Sequence, residues 1–446
     1  MATALDAHAA RVAQALRVGG PATARDLRAQ LGLSTATFTR AAAALRADLL
    51  AVGATRSLVY ALRRTVPGLP AEIPVYELRP SGVRLFATLT PIAPAGWHVE
   101  SPFACRGFYP DLPWFLHDLR PTGFLGRLVP RQHPELGLPP DVNRWSGDHA
   151  MRWLHEWGLD TAGAFVVGEP AFTRLQAQLP VVVSDEDRPA RYTQLAEGVM
   201  SLGVPGSSAA GEQPKFLAAR PSGSVLVKFS PRGNDPTARR TADLLRCEHH
   251  ALQCLREAGV PAAESEVVEA DGRVFLEVLR FDRQDEGRLG LVSLHAVATH
   301  HGADIQSWTT AADDLVRGGV IDDARRRLVH WLDRFGSLIG NTDRHAGNLS
   351  FFFEEGQVRA VAPVYDMLPM AYAVRSGEFS TPVLAAPAPA PRFPGAWREA
   401  WAVARRFWGV VADDEQIHFE SRRAAEANAA ALDANRWMLE RLPEGA

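Results

Sequence analysis

The segment 340–351, with the sequence GNTDRHAGNLSF, constrains the fold of this 446-residue chain more than any other feature. A helical pattern precedes it over 322–338, and two strand-like stretches follow it, 349–353 and 358–364. A Glu-Glu-Gly-Gln turn joins these stretches, which predicts a β-hairpin. The second strand leads directly into Tyr365 and Asp366, so a helix, a polar loop, a hairpin and a second acidic residue follow one another.

An Asp followed five residues later by Asn, and then by a hairpin ending in a second Asp, is the working order of a protein-kinase site. In that order Asp343 orients the acceptor hydroxyl, while Asn348 and Asp366 hold Mg²⁺ against the phosphates of ATP. Magnesium prefers oxygen ligands and keeps several waters, so two side-chain oxygens and a phosphate suffice. The alternative is an Asx-rich loop that caps a helix and turns into a hairpin.

Only two lysines occur in the chain, Lys215 and Lys228, among 48 basic residues. Because arginine occupies every other basic position, these two lie where a compact ammonium is required. Such lysines typically contact phosphate as point charges. Lys215 ends a small-residue loop, 207–215, and Lys228 lies in the strand-like run 225–229. The alternative is the chance survival of two surface lysines.

A helix is predicted over 237–258, after the strand that carries Lys228. A strand lysine paired with a helix glutamate would position nucleotide phosphates, as in kinases. Glu248 is the candidate partner, although Glu257 could take this role or Glu248 could face solvent. The run 276–282 is either a hinge strand whose backbone contacts adenine or a plain core strand.

Three helices, 5–18, 24–31 and 35–49, are predicted at the N-terminus, followed by a strand pair, 50–53 and 57–62. This order is the plan of a winged helix-turn-helix.

In that plan the third helix enters the DNA major groove, so Thr35, Thr37 and Arg40 would face DNA. Residues 1–65 contain nine arginines and three acidic residues, so they carry +6 and the remainder carries −9. A basic N-terminal part of this kind indicates nucleic-acid binding. The alternative is a three-helix module for dimerisation or protein contacts.

The remaining sequence features point to an ordinary globular protein. Cys105, Cys247 and Cys254 form no CxxC pair, so neither a disulfide framework nor a zinc site is indicated. There is no apolar run long enough to span a bilayer and no signal-peptide pattern, so we expect a cytoplasmic protein without membrane contact. Between Val75 and Pro189 no residue pattern indicates chemistry: the pairs at 117–118 and 155–156 are interpreted as helix-surface polar residues.

Taken together, these residues resemble the HipA-like serine/threonine kinases of bacterial toxin–antitoxin systems. The resemblance covers about 75–440 and rests on three runs: 208–215, 280–283, and 341–348 with 365–366. It implies an α+β chain in which a two-lobed, kinase-like HipA fold with a mostly helical C-terminal lobe follows the winged helix-turn-helix. The expected parts are 1–66 (winged helix-turn-helix), 75–190 (N-terminal subdomain), 199–285 (nucleotide-binding part) and 286–446 (helical lobe with the catalytic loop).

The resemblance also implies site residues. Asp343 would be the catalytic base, Asn348 and Asp366 the Mg²⁺ ligands, and Ser208 the site of an inactivating autophosphorylation. The residues expected to bind ATP are Lys228, Lys215, Gly211, Gln213, Phe281, Asp282, His345 and Tyr365.

Two departures from the family pattern matter. Leu279 stands where a glutamate often precedes the hinge, which would alter adenine contacts. The chain also carries its own predicted DNA-binding module, an arrangement similar to the YjjJ-like branch. This argues against an obligate antitoxin while leaving an antitoxin as one candidate partner. A competing interpretation is a transcriptional regulator whose kinase-like part only senses nucleotide.

Overall fold

The computed structural model of the protein describes residues 4–54, 57–178, 181–202, 213–284, 287–374, 381–390 and 392–443. The chain begins with a small module of helices and short strands. Its elements are α1 (Ala4–Gly19), β1 (Ala22–Thr23), α2 (Ala24–Leu31), α3 (Thr35–Ala44), β2 (Leu49–Val52) and β3 (Val59–Leu62). The strands form one antiparallel sheet in the order β1-β3-β2.

Local capping defines the start of two of these helices. The Thr23 hydroxyl accepts from the backbone N–H of Asp26, and the Ser34 hydroxyl accepts from that of Thr37. The predicted end of the third helix at Leu49 is wrong, since α3 ends at Ala44. Leu49 instead pairs with a residue of β3, because the sheet recruits it into an edge strand.

The N-terminal module is fastened to the part that follows it. The guanidinium of Arg64 forms a bidentate ion pair with Asp148, at 2.6 and 2.7 Å, and donates to the carbonyl of Ile92 at 2.8 Å. The backbone N–H of Ala93 also donates to the carbonyl of Leu62. The two parts are therefore joined by specific polar contacts as well as by the chain.

The next part is a five-stranded antiparallel sheet with three helices. Its strands lie in the order β7-β6-β5-β4-β8. The elements are β4 (Ile73–Arg79), β5 (Gly82–Pro91), β6 (Trp97–Glu100), β7 (Gly107–Tyr109), α4 (Gly123–Gln132), α5 (Gly147–Trp157), β8 (Phe165–Val167) and α6 (Glu169–Ala177).

A four-stranded antiparallel sheet, in the order β11-β12-β10-β9, carries the first candidate site residues. Its part comprises α7 (Arg188–Ser201), β9 (Lys215–Arg220), β10 (Gly223–Phe229), α8 (Pro236–Glu257), β11 (Ser265–Ala270) and β12 (Arg273–Leu279). Helix α7 packs on β9 and β11, so it straddles the boundary expected between 190 and 199 and belongs with this sheet. One face is buried on aromatic side chains, namely Tyr192, Phe216, Phe229 and Phe275.

Helices dominate the last part. After the two-stranded ribbon β13 (Arg283–Gln284) and β14 (Gly287–Arg288), a three-stranded sheet forms in the order β15-β16-β17. The elements are β15 (Leu291–Ser293), α9 (Leu294–His301), α10 (Trp308–Arg317), α11 (Asp323–Leu338), β16 (Ser350–Glu354), β17 (Gln357–Val361), α12 (Pro394–Asp413), α13 (Phe419–Ala434) and α14 (Trp437–Glu440). The hairpin predicted after the segment 340–348 is thus β16 and β17, within one residue at its start and three at its end.

Residues 385–390, in a proline-rich segment, lie in neither a helix nor a strand. Within the described ranges, no helix combines the length and the hydropathy needed to cross a bilayer.

Candidate functional site

Lys228 lies between two carboxylates that come from different parts of the chain. Its ammonium donates to both carboxylate oxygens of Glu248, at 2.7 and 2.8 Å, and also to Asp366. Lys228 is 4 % exposed and Glu248 is 1 % exposed. Glu257, the alternative partner, is instead paired with Arg406 at the surface. The strand lysine is therefore paired with Glu248.

The alternation of β10 explains why Lys228 reaches this position. Val225, Val227 and Phe229 point into the aromatic face of the sheet and are fully buried. Because successive side chains of a strand point to opposite faces, Lys228 projects from the other face. There α8 crosses the sheet and presents Glu248.

These charges shift each other's pKa values. Burial lowers the pKa of Lys228, but Asp366 and Glu248 outweigh it and hold that pKa above its ordinary value. Burial raises the pKa of Asp366, but Lys228 and then Lys215 lower it to about 2. Burial raises the pKa of Glu248, and Lys228 opposes this rise. The ammonium and the Asp366 carboxylate are therefore both charged at neutral pH.

The second lysine of the chain lies directly opposite the first. Lys215 on β9 is the register partner of Lys228 on β10, so both side chains project from the same face of the sheet. Two like charges opposite each other are unfavourable unless anions lie between them. The nearby carboxylates supply part of this compensation, and an anionic ligand would supply more.

The loop that carries Asp343 is held by a buried asparagine to which the sequence assigned no role. Asn341 is 1 % exposed, and its Oδ1 accepts from the backbone N–H of Asp343 at 3.0 Å. Its Nδ2 donates to the carbonyl of Asp366 at 3.4 Å. The Asn341 carbonyl accepts from Arg344, which also pairs with Asp333. Asn341 thus ties the loop that carries Asp343 to the segment that carries Asp366.

Asp343 and Asn348 lie on one turn of this loop. Asp343 is exposed, and the Nδ2 of Asn348 donates to the Asp343 carbonyl at 2.9 Å. This bond leaves the Oδ1 of Asn348 available as a ligand. Asp366 has a left-handed backbone with φ of 51°, which is uncommon for a residue other than glycine and typical of functional sites.

Two further candidates, His345 and Tyr365, line the same loop. The Nδ1 of His345 accepts from the backbone N–H of Gly347, and its carbonyl accepts from the indole of Trp308 at 2.8 Å. The Tyr365 hydroxyl lies 2.7 Å from that of Ser350 and donates to the Gly347 carbonyl. Burial raises the pKa of Tyr365 well above its ordinary value, so its hydroxyl stays protonated.

Phe281 and Asp282 differ in their surroundings. The centroid of the Phe281 ring lies 6.2 Å from that of the Tyr365 ring, next to the loop that carries Asp343. Asp282 is 4 % exposed. Its carboxylate accepts hydrogen bonds from Arg280, Arg283 and the backbone N–H of Gly163. Because both of its carboxylate oxygens accept hydrogen bonds from within the protein, Asp282 has a structural role. The sequence predicted only a nucleotide contact for this residue.

The candidate phosphate loop is only partly described. Ser208 and Gly211 lie outside the described residues, as does Arg56 in the N-terminal module. Gln213 is described, and its amide donates to the carbonyl of Phe229 at 2.5 Å. This contact places the end of the loop beside the strand that carries Lys228.

Asp118 was interpreted from sequence as a surface residue, but the structure gives it a partner near the site. Its carboxylate accepts from the backbone N–H of Ser293 at 2.6 Å and from its hydroxyl at 2.7 Å. Ser293 caps α9 and is the register partner of Ser350, which contacts Tyr365. Asp118 thus links the part that contains the five-stranded sheet to the part that contains β15 and β16. This long-range contact has no local sequence signal.

The residues expected to contact DNA lie on the outer side of α3. Thr35 and Arg40 are exposed and Thr37 is half-buried, with its hydroxyl 2.9 Å from that of Ser34. Phe38 and Ala41 of the same helix are buried in the core of the module. The helix therefore has one anchored face and one free polar face.

The donor set also fits a magnesium ion. Within the described residues, no group of three or more His, Cys, Asp or Glu side chains could hold a metal by itself. Asn348 Oδ1 and the second carboxylate oxygen of Asp366 are oxygen atoms that could serve as ligands, because the recorded bonds of these two side chains use Nδ2 of Asn348 and Oδ1 of Asp366. Two such donors suit a hard cation that completes its shell with phosphate oxygens and water.

Comparisons with known proteins identify the relatives of this chain. Residues 69–176 match the family model of the YjjJ-like toxin middle domain, and 207–432 match that of the HipA-like C-terminal domain. Toxin YjjJ of Escherichia coli (strain K12) is 36 % identical over 423 residues, which cover 92 % of this chain and 95 % of that protein.

A solved structure supports the fold. A chain from the Shewanella oneidensis MR-1 toxin–antitoxin complex of HipA, HipB and operator DNA aligns with a TM-score of 0.55. The alignment has 15 % sequence identity and covers 83 % of this chain and all of that one. These matches show that the chain belongs to the HipA-like toxin family.

Proposed function

We propose that the protein is an ATP- and Mg²⁺-dependent serine/threonine protein kinase whose N-terminal module binds DNA. The observation that carries the kinase proposal is the placement of Lys228, which contacts both Glu248 and Asp366. Phosphoryl transfer requires a fixed cation at the nucleotide phosphates and an acidic group beside the metal. Lys228 would supply the fixed cation and Asp366 the acidic group, and the two side chains contact each other.

In this proposal Asp343 accepts the proton of the substrate hydroxyl as that oxygen attacks the terminal phosphate. Asp343 is exposed, so a protein substrate can reach it. Asn341 fixes the backbone on which Asp343 lies, and the carbonyl of Asp343 accepts from Asn348. Holding the base in place lowers the entropic cost of reaching the reactive geometry.

Mg²⁺, when bound, would neutralise charge on the phosphates, and Asn348 and Asp366 are the residues that would hold it. Lys228 would hold a nonbridging phosphate oxygen, while Glu248 keeps its ammonium in place. The rest of the nucleotide would contact residues around this centre, namely Lys215, Gly211, Gln213, Phe281, His345 and Tyr365. Ser208 is the proposed site of autophosphorylation.

The N-terminal module is proposed to bind DNA through α3 as a winged helix-turn-helix. Support comes from the free polar face with Thr35, Thr37 and Arg40, and from the +6 charge of residues 1–65. The Shewanella complex contains a separate HipB and operator DNA. We propose that in this protein the DNA-contacting element is part of the same chain, whether or not an antitoxin also binds.

Transfer of the γ-phosphate from labelled ATP is the decisive test. Wild type should label itself, with phosphate on Ser208 by mass spectrometry, and Asp343→Asn should lose label while still binding nucleotide. Asp313→Asn is a matched control, because Asp313 pairs with His330 and Arg392 away from the loop that carries Asp343. Nucleotide binding without any transfer in wild type would instead identify a regulator that only senses nucleotide.

A further inference from the structure

A cavity of about 590 Å³ lies beside α8, and neither Lys228 nor Asp343 lines it. It is bounded by the first turns of α8, by the turn between β11 and β12, and by the segment that contains Gln416 and His418. Three arginines from two elements line it: Arg239 and Arg246 from α8, and Arg273 from β12.

Two arginines of this cavity, the buried Arg246 and the half-buried Arg273, keep hydrogen-bonding capacity. Arg246 is 6 % exposed, and its Nε has no hydrogen-bond partner, although another nitrogen pairs with Glu269. The Nε of Arg273 also has no partner, while its NH1 donates to the carbonyl of Ser230 at 2.9 Å. A buried donor without an acceptor costs free energy, which a ligand with acceptor oxygens would recover.

Glu269 and Asp271 also line the cavity, but they leave the Nε atoms of Arg246 and Arg273 without an acceptor. The Glu269 side chain is 54 % exposed, and Asp271 is paired with Arg232 rather than with a lining arginine. Arg239 is exposed and has one bond, from its Nε to Asn234. The cavity therefore presents one buried, one half-buried and one exposed guanidinium group, which suits a multivalent oxyanion.

We propose that this cavity, the α8 cavity, is a binding site for a phosphate group, either free or carried on a phosphorylated protein segment. Guanidinium groups bind phosphate through two parallel N–H donors, and clusters of arginines are the usual way to recognise a phosphorylated residue. Arg246 and Arg273 would provide the inner contacts, and Arg239 would close the site from the exposed rim.

The position of the cavity gives such a ligand a consequence at the candidate kinase site. Arg246 lies two residues before Glu248 on α8, and Arg273 bonds the carbonyl of Ser230, two residues after Lys228. A phosphate held by both arginines would therefore fasten α8 to the sheet next to the Lys228–Glu248 pair. Phosphate binding should strengthen nucleotide binding, and by reciprocity nucleotide should strengthen phosphate binding.

The coupling rests on the proposed function, whereas the phosphate site itself does not. Calorimetric titration of the full chain with inorganic phosphate, without nucleotide, tests the site alone. We expect Arg239→Gln and Arg273→Gln to weaken phosphate binding roughly tenfold, the loss of one charge-assisted hydrogen bond. Arg256→Gln is the matched control, since Arg256 is exposed on the same helix and pairs only with Glu264.

Lys215→Gln separates this site from the candidate nucleotide site, which could also take phosphate. The proposal is overturned if wild type shows no phosphate binding, or if binding is lost in Lys215→Gln and kept in both cavity variants. Thermal unfolding of each variant shows whether it is folded, and Arg239→Gln changes only an exposed side chain. Phosphate binding without any binding of a fluorescent ATP analogue would support the cavity and refute the kinase proposal.

A short Gly/Ser peptide with one phosphoserine distinguishes the two sources of phosphate. If it binds roughly tenfold more tightly than inorganic phosphate, and its unphosphorylated form does not bind, the natural ligand is a phosphorylated segment. If peptide and inorganic phosphate bind equally, the site recognises free phosphate.

Discussion

Lys215 and Lys228 are direct register partners on β9 and β10, so the only two lysines of the chain project side by side from one face of a sheet. Their environments differ. Lys228 is buried and contacts Glu248 and Asp366. Lys215 is half-buried, and its charge also lowers the pKa of Asp366. Lys228 is thus fixed by two ion pairs, whereas Lys215 remains partly exposed to solvent.

Replacing Lys228 should destabilise the fold as well as stop transfer. Lys228→Met leaves Glu248 and Asp366 without their shared cation, and breaking a buried ion pair typically costs about 3–5 kcal/mol. Urea denaturation measures this loss, and Lys228→Arg should not restore transfer, because the planar guanidinium does not match a site built for an ammonium. An unchanged unfolding midpoint in Lys228→Met would contradict the ion-pair role.

Replacing Lys215 should have the opposite profile. Lys215→Gln removes a like charge opposite Lys228, so stability should change by less than about 1 kcal/mol. Nucleotide affinity should fall several-fold, since one phosphate contact is lost. Comparing urea midpoints with the affinity for a fluorescent ATP analogue checks both statements. A loss of stability as large as that of Lys228→Met would show that Lys215 is structural.

Asn341 is predicted to act through the position of Asp343. Asn341→Ala leaves the Asp343 N–H without its acceptor and frees the loop from Asp366, which costs about 1–3 kcal/mol. Transfer should fall strongly while the affinity for nucleotide, held mainly by Lys228, changes little. The control is Asn143→Ala, at an exposed position. Equal transfer rates in the two variants would refute the positioning role.

Asp282 should stabilise the protein in a way that depends on pH. Although burial raises its pKa, Arg280 and Arg283 outweigh this and lower that pKa below its ordinary value of about 3.9. Its contribution is therefore complete above about pH 4 and is lost as pH falls through the lower, folded-state pKa.

Asp282→Asn should thus cost about 3 kcal/mol at pH 7, with the difference from wild type shrinking below pH 4. Urea unfolding of both proteins at several pH values measures this difference. A difference that stays constant, or grows on acidification, would show that the carboxylate charge is not the cause.

Arg40 should contribute to DNA binding as a phosphate contact. Arg40→Ala is expected to weaken binding and to reduce the slope of log affinity against log salt by about 1. Arg441→Ala, which removes the same charge at an exposed position near the C-terminus, controls for net charge. Fluorescence anisotropy over a salt series reports both quantities, and identical slopes in the two variants would exclude a contact by Arg40.

Local sequence signals predicted most elements near the site. The helix expected over 237–258 is observed as Pro236–Glu257, and that expected over 24–31 as Ala24–Leu31. These succeeded because capping residues and hydrophobic periodicity act within one helix. The third N-terminal helix was overextended, because its predicted last residue is drawn into a sheet by pairing with Leu62.

What the sequence determined by itself is the set of reactive groups: two lysines in a chain otherwise basic through arginine, and an Asp–Asn–Asp order around a hairpin. The tertiary structure decided which partners they have. In the folded chain Lys228 pairs with Glu248 rather than Glu257, and Lys215 lies opposite Lys228. Arginines bind the carboxylate of Asp282, and Asp118 accepts hydrogen bonds from Ser293. Each of these contacts joins residues that are distant in the chain. Strand register and helix packing determine such contacts, and neither can be predicted from a local sequence pattern.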